Sequence, residues 1–556
     1  MTFCKTAPGV INSLLCAVAA AVLVPLAGCG KSTQTANRGP SRQGGATGGL
    51  FDSVAESLDR MEQFETGQIL KQICDRLNQW QQQEKPHIAW QPDPLVAALP
   101  AEYQKLFAMK LLDSTQYHLP DDAWFLQQSV WLRDISRRAR GDQFDDLAVA
   151  ERLFDWTVRH IELEPDKPAA PEVIRHRPFE ILLYGRGTAA ERAWIFMLLA
   201  RQQGLDVVML APASASDKKS GRSLPALASG GELYLFDPAL GLPIPGAGGK
   251  GVATLSAAIA DPQLLRRLDL DAEHPYPLRA EDLEQVVAYV EGSPIELSRR
   301  MALVESRLAG KHKMAIVAQA SAVAERVSKI PHVSDARLWP VPFEIALWQS
   351  KLDDTAVKAA NREMYPFQAL PTLMVGRAGE TIHDTSGKPV FQPQPTLLTA
   401  RTLDFKGQWD GDKGAKIYYL KARPNDKTID EFHLPESVAK QVLEKGGQVD
   451  IARIEAGQVL VMRRAKQAAS FWLGLIHYEQ QDFPEAIDFF ANRTLKANPK
   501  GIWAAAASYN LGRSYEASGQ KEKAIAIFEA DKSSPQSTGN QLRARWLKEE
   551  HATAAK

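Results

Sequence analysis

Two stretches near the C-terminus, FWLGLIHYEQQDFPEAIDFF (471–490) and YNLGRSYEASGQKEKAIAIF (509–528), share one frame of small and aromatic residues. Leu473-Gly474 aligns with Leu511-Gly512, Ala486 with Ala524 and Phe490 with Phe528. In each copy the alanine follows the glycine by twelve residues and the phenylalanine follows the alanine by four. Gly and Ala let two helix backbones approach, and the aromatic ring fills the gap above them, so each copy predicts a packed helical pair.

With Tyr515 and Gly519 also in place in the second copy, these stretches resemble the tetratricopeptide repeat. Gly474 and Gly512 are 38 residues apart, against a family period of ~34, so a longer helix or a linker must absorb the difference. The segment LDFKGQWDGDKGAKIYYLKARP (403–424) reads as a degenerate third copy, with Ala415 and Tyr419 at the alanine and aromatic places. Helical pairs of this kind stack stably in arrays of about three, so a third copy or an adjoining helix is expected. The resemblance implies a groove for a protein or peptide partner; the alternative is that the pairs cap the preceding domain and bind nothing.

A second constellation lies in the first half. FDDLAVAERLFDWTVRHIEL (144–163) puts Leu147, Ala150, Phe154, Val158 and Ile161 on one helical stripe. YGRGTAAERAWIFMLLARQQGLDV (184–207) starts a helix at Thr188, whose hydroxyl caps the free backbone N–H groups while Glu191 reaches back to close a capping box. Ala193, Phe196, Met197 and Ala200 give it a packing face, and Gly204 ends it. GGELYLFDPALGLPIPG (230–246) then begins as a β-rich run that ends in Asp237-Pro238. In this order the three stretches resemble the transglutaminase-like fold, a relative of the papain-type cysteine proteases, over roughly 142–246.

That resemblance implies a cysteine at the start of the central helix in a GxC context, a histidine base on the next strand and an aspartate on the strand after it. Here Gly187, Thr188 and Ala189 occupy the GxC places, 205–236 contains no histidine, and only Asp237 matches. The expectation is a pseudoenzyme that keeps the architecture and lacks the chemistry. Two rival readings stay open: a peptide or glycan binder using the vestigial cleft beside Ala189 and Asp237, and a residual hydrolase or transferase with Thr188 as displaced nucleophile and Glu191 as its base.

The N-terminus points to a membrane. Lys5, the apolar run LLCAVAAAVLVPL and Leu26-Ala27-Gly28-Cys29 resemble the signal peptide and lipobox of bacterial lipoproteins. The resemblance implies cleavage before Cys29 and lipidation (palmitate) of its thiol; Gly30 after it favours the outer membrane, facing the periplasm. Cys4 and Cys16 leave with the signal, so Cys74 is the one thiol left in the mature chain and no internal disulfide forms. Cys74 lies beside the stripe Ile73, Leu77, Trp80 and is expected to be buried and inert.

The remaining signals exclude more than they assign. Lys+Arg and Asp+Glu balance at 66 each, which gives no electrostatic reason for nucleic-acid binding. GAGGKG (246–251) lacks the spacing and final Ser/Thr of a phosphate loop, and DGDKG (410–414) has Lys421 where a calcium loop needs a bidentate acid. The 11 histidines show no paired zinc spacing, so neither metal nor cofactor is expected. Trp80, Trp90, Trp124, Trp131, Trp156 and Trp194 are expected to pack in the core.

The expected fold class is mainly α with a central α+β transglutaminase-like module and C-terminal α-hairpins. The expected division is a signal peptide at 1–28, a tether at 29–50, a helical N-terminal segment at 51–141, the inactive module at 142–250 and a helical and irregular middle at 251–395. Within that middle, helices are expected over roughly 280–330, with Ser293-Pro294 and Glu296 at their start, and irregular chain over 330–395. A degenerate repeat and connecting region at 396–465, repeats at 466–535 and a C-terminal tail at 536–556 complete it. The function expected is a non-catalytic, membrane-anchored envelope scaffold for protein partners; oligomeric state is not legible.

Overall fold

The computed structural model describes residues 49–554 apart from 64–65, 109–111, 119–120, 167–174, 214–221, 353–362, 368–373, 377–381, 384–388, 391–392, 435 and 445–449. The signal peptide, Cys29 and nearly all of the tether lie outside the described residues. No described helix is long and apolar enough to cross a membrane.

The N-terminal segment is helical as expected: α1 (Gly49–Asp59), α2 (Thr66–Glu84), α3 (Ala101–Ala108) and α4 (Asp121–Arg140). Cys74 is buried in this layer and its thiol is pushed up to about 12, first by burial and then by the charge of Asp122. Trp80, Trp131, Trp156 and Trp194 are buried side chains of the core, which accounts for most of the tryptophan density. The segment is not a separate domain, however. Trp131 and Ile135 of α4 belong to the same core as the central module, and Ser136 Oγ donates to the Leu199 carbonyl oxygen at 2.8 Å.

The module consists of α5 (Asp146–His160), a short parallel pair β1 (Glu162–Leu163) and β2 (Arg186–Gly187), α6 (Pro178–Tyr184) and the central helix α7 (Ala189–Arg201). A six-stranded sheet follows in the order β6-β5-β4-β3-β7-β8, from β3 (Asp206–Pro212), β4 (Leu224–Ser229), β5 (Glu232–Asp237), β6 (Leu242–Pro243), β7 (Val286–Val290) and β8 (Val333–Leu338). Neighbouring strands run antiparallel except β7 and β8, which run parallel. Val207 and Met209 face the core around α7, whereas Val208 and Leu210 face a second core with Leu233, Leu255 and Leu278. The sheet is therefore covered on both faces, in keeping with the continuous apolar run VVMLAP of β3.

Strands β7 and β8, both beyond residue 250, complete the sheet, and the stretch 280–330, expected to be helical, is not continuous helix. VVAYV at 286–290 is a run of β-branched and aromatic residues, which favour a pleated, half-buried surface over a helix. Ser293 and Glu296 do exchange the expected capping bonds, 2.8 Å from the Ser293 N–H to Glu296 Oε2 and 3.3 Å from the Glu296 N–H to Ser293 Oγ. They close a single turn, and the helix proper is α8 (Arg299–Arg307), followed by α9 (Ala320–Val327). Nor is 330–395 irregular throughout, since it holds β8 and α10 (Val341–Gln349).

Toward the C-terminus, α11 (Thr396–Phe405) and α12 (Ala415–Lys421) pack as a helical pair, with Ala415 and Tyr419 fully buried. Next comes α13 (Ile451–Glu479), 29 residues long, so the expected break at 465/466 falls inside a helix; VLVMRRAKQAAS contains no residue that would stop one. α14 (Phe483–Asp488) continues as a π-helical stretch over Phe489–Lys496. This extended second helix, with the turn before Trp503, absorbs the residues beyond the family period. The second pair is α15 (Ala504–Ala517) and α16 (Lys521–Ala530). The C-terminal tail carries α17 (Ser537–Ala554), an 18-residue helix that buries Leu542, Ala544 and Leu547.

Candidate functional site

The start of α7 is built by the close approach of four chain segments. Helix α6 ends at Gly185 in the left-handed region (φ 69°), which turns the chain into β2. A Cβ on Gly185 would stand 3.2 Å from the His160 carbonyl oxygen and 3.3 Å from Trp472 Nε1, so the turn also needs the absence of a side chain. The expected capping box is present: the Thr188 N–H donates to Glu191 Oε2 at 2.8 Å and the Glu191 N–H to Thr188 Oγ1 at 3.3 Å. Gly187 has a matching reason to be glycine, because a Cβ there would lie 2.9 Å from Glu191 Cβ. Ala193, Phe196, Met197 and Ala200 are buried as expected, within a helix whose residues 191–200 are buried on every side.

Ala189 sits half-buried at the first turn, with a methyl group where the resemblance puts a thiol. Asp237 is fully buried at the end of β5. Its Oδ1 accepts from Arg222 Nη2 at 2.7 Å and from the N–H groups of Ala239 and Leu240, and its Oδ2 accepts from the Tyr276 hydroxyl at 2.7 Å. Burial and the Asp237 charge together hold the Tyr276 phenol well above its ordinary range. The aspartate thus orders a turn and anchors a tyrosine and an arginine.

Sequence reasoning missed the histidine that does approach this helix. His176 comes from upstream, between two arginines just before the Pro178 that opens α6. Its N–H donates to Glu191 Oε1 at 3.2 Å, and its Nε2 lies 3.0 Å from Glu363 Oε2. Arg186 Nη2 stands 3.0 Å from Glu363 Oε1. Burial opposes the Glu363 charge, but the His176 hydrogen bond and Arg186 outweigh it and bring that carboxyl down to about 2. Ligand atoms of Glu164, His176 and Glu191 lie within 4.8 Å of one another. Within this group Glu191 takes the N–H groups of His176 and Thr188, and His176 Nε2 faces Glu363, so both residues build the capped start of α7. Likewise, Glu191 receives the backbone N–H groups of Thr188 and His176, and its own N–H donates to the Thr188 hydroxyl oxygen, which is the geometry of a cap.

The Asp237 side of the cleft is covered by the chain's own C-terminus. Gln536 Oε1 accepts from Arg192 Nη1 at 2.6 Å, and a Cβ on Gly539 would fall 1.8 Å from the Leu240 carbonyl oxygen. The repeats lean on the same region. Arg513 Nη1 meets Asp155 Oδ1 at 2.6 Å, Arg159 Nη1 meets Glu479 Oε1 at 2.5 Å, and Asn510 Nδ2 donates to the Arg159 carbonyl oxygen at 3.0 Å. Helix α15 thus packs on α5, the last residue of α13 pairs with it through Glu479, and the repeats are joined to the module.

Within the hairpins, the expected packing holds atom by atom. A Cβ on Gly474 would lie 2.6 Å from Phe490 Cε1, and one on Gly512 would lie 2.5 Å from Phe528 Cε1. Ala486 and Ala524 are fully buried between the helices. Tyr515 is partly buried, with the Lys523 ammonium 5.3 Å from its ring centre. No curated protein and no solved structure matches the chain. Family models described as tetratricopeptide repeat match residues 441–502 and 506–530, and the C-terminal part of the chain carries tetratricopeptide repeats.

Proposed function

We propose that this protein is a non-catalytic scaffold of the cell envelope, anchored through a lipidated Cys29, which presents tetratricopeptide repeats to a protein partner. In this reading its transglutaminase-like module is a pseudoenzyme. The observation that carries the reading is the repeat match over 441–502 and 506–530, since such repeats are protein-recognition elements. Ala189 at the nucleophile place and an Asp237 saturated by Arg222, Tyr276 and two N–H groups support a role without catalysis. Binding of peptide or glycan in the vestigial cleft is less favoured, because Gln536 and Gly539 cover its Asp237 side.

Because α15 packs on α5, a partner must use residues that stay exposed, such as Leu460 (51% exposed) and Ile502 (48%). The test is capture from detergent-solubilised envelopes with the full chain, beside Leu460→Glu and Ile502→Glu. A Phe144→Glu bait serves as control, since Phe144 is 83% exposed on the module side. A partner lost with the repeat variants and kept by the control supports the scaffold reading. A partner lost only with Phe144→Glu, or retained by all three, overturns it. Anchoring is tested separately: Cys29→Ser should abolish palmitate labelling and move the protein from the membrane to the soluble fraction.

A further inference from the structure

Where the repeats meet the module, a narrow cavity of about 20 Å³ is lined by Glu162, Arg192, Tyr509, Asn510, Gln536 and Asn540. That is room for one water molecule. Asn510 is fully buried, and both hydrogens of its amide are spent, on the carbonyl oxygens of Arg159 (3.0 Å) and Ala506 (2.9 Å). Its Oδ1 meets no donor among the described residues. An orphaned acceptor at such depth costs about 1–3 kcal/mol, so a hydrogen donor belongs in this cavity.

The charged neighbours do not supply one. The guanidinium of Arg192, from α7, is turned to the carbonyl oxygens of Ile161 (2.7 Å), Pro238 (3.1 Å) and Val158 (3.4 Å) and to Gln536 Oε1 (2.6 Å). Arg186, from β2, is turned to Glu363 at 3.0 Å and Glu164 at 3.6 Å. From α15 come the Tyr509 phenol and the Ala506 N–H, and the C-terminal side offers the neutral Ser534, Gln536 and Asn540. Among the described residues the Glu162 carboxyl has the Ala506 N–H as a donor and makes no ion pair of its own.

We propose that this cavity is a proton-linked joint between the repeats and the module: neutral Glu162, with one water molecule beside it, supplies the hydrogen that Asn510 Oδ1 lacks, and α15 loosens from α5 when that proton leaves for bulk water. The direction of the Glu162 equilibrium agrees. Burial raises its carboxyl to about 8, the Ala506 N–H and Arg186 opposing and Glu164 adding to the rise. An acid raised in the docked state favours docking fully below its free value of about 4.3, and that stabilisation is lost as pH rises to about 8. Above that both states are ionised and nothing further changes.

Hydrogen exchange with mass-spectrometric readout, on the full chain and corrected for intrinsic rates, tests this. Opening of peptides from 504–517 should increase up to tenfold per pH unit between about pH 5 and pH 8 and then level off. Glu162→Gln keeps the shape and donor capacity of the neutral acid, so in that variant the same peptides should show no slope, with α2 unchanged in both proteins. A flat wild-type profile, or an equal slope in the variant, overturns the proposal. Should the variant fail to fold, infrared spectra of Glu291→Gln decide instead, because among the described residues Glu291 is a second carboxyl that burial raises to about 8. A protonated-carboxyl band that persists there and disappears near that pH supports the joint; its absence overturns it.

Discussion

Replacing Gly512 by alanine sets two effects of known sign against each other. The added Cβ would lie 2.5, 2.7 and 3.0 Å from Cε1, Cζ and Cδ1 of Phe528, a ring that is 1% exposed and has nowhere to swing. Overpacking of this kind costs about 1–3 kcal/mol. Against it stands the helix preference of Ala over Gly, worth about 1 kcal/mol. The net expectation is a loss of about 1 kcal/mol, read as roughly fivefold faster hydrogen exchange in peptides from 504–530. In a Phe528→Leu background the clashing ring atoms are gone, and Gly512→Ala should turn stabilising by about 0.5–1 kcal/mol. A change of sign between the two backgrounds is thus the signature of Gly–Phe packing. If Gly512→Ala stabilises the wild type, or destabilises both backgrounds equally, the glycine is there for some other reason and the account of the hairpin is wrong.

Other substitutions probe the module. Thr188→Ala should cost about 1 kcal/mol in thermal unfolding by removing a cap, and Gly187→Ala should cost more, because its Cβ would collide with Glu191 at 2.9 Å; the reverse order would refute the capping-box account. Arg201→Met should cost about 3–5 kcal/mol, since it removes the guanidinium that the buried Glu291 and Glu296 side chains share, and an unchanged unfolding midpoint would contradict this. Asp155 is held well below its ordinary range: burial acts against its charge, and Arg513 and Arg159 outweigh it. An acid lowered in the folded state stabilises above its free value of about 3.9, and the benefit is lost as pH falls below that. Exchange in 504–517 should therefore speed up in acid for the wild type, and Asp155→Asn should weaken that dependence; an identical acid response in both would discount the Asp155–Arg513 contact.

What the sequence made legible is local, and what it hid is long-range. The hairpin glycines, the Thr188–Glu191 box, the buried Cys74 and the stripe on α5 follow from spacing within a single turn or a single pair. β7 was hidden because VVAYV makes sense as a strand only beside β3, some 75 residues earlier, and β8, some 45 residues later. His176 was hidden because the search for a base followed the family order, downstream of the helix, whereas this histidine enters from upstream and serves a carboxylate, Glu363, that lies far along the chain. The tail proved to be α17 because its apolar residues Leu542 and Leu547 have no visible partner until the sheet and the repeats are both in place. Ion pairs such as Arg159–Glu479 leave no sequence signal at all.

The first turn of α7 is held by contacts that need no substrate. Thr188 and Glu191 exchange the capping bonds, Gly187 makes room for Glu191, and Arg192 ties the turn to Ile161, Pro238 and Gln536. Each of these positions is fixed by a contact that exists whether or not a substrate is turned over. Ala189 and Ala190, between them, are half-buried methyl groups with no hydrogen bond to lose. A change at 189 is therefore nearly free in stability, and changes one or three residues away are not. Ala189→Ser should stay within about 0.5 kcal/mol of the wild type, while Arg192→Met, which leaves buried carbonyl oxygens unpaired, should cost at least about 2 kcal/mol. Should Ala189→Ser destabilise as much as Arg192→Met, position 189 is held by packing after all, and its alanine reflects a structural demand rather than the loss of a nucleophile.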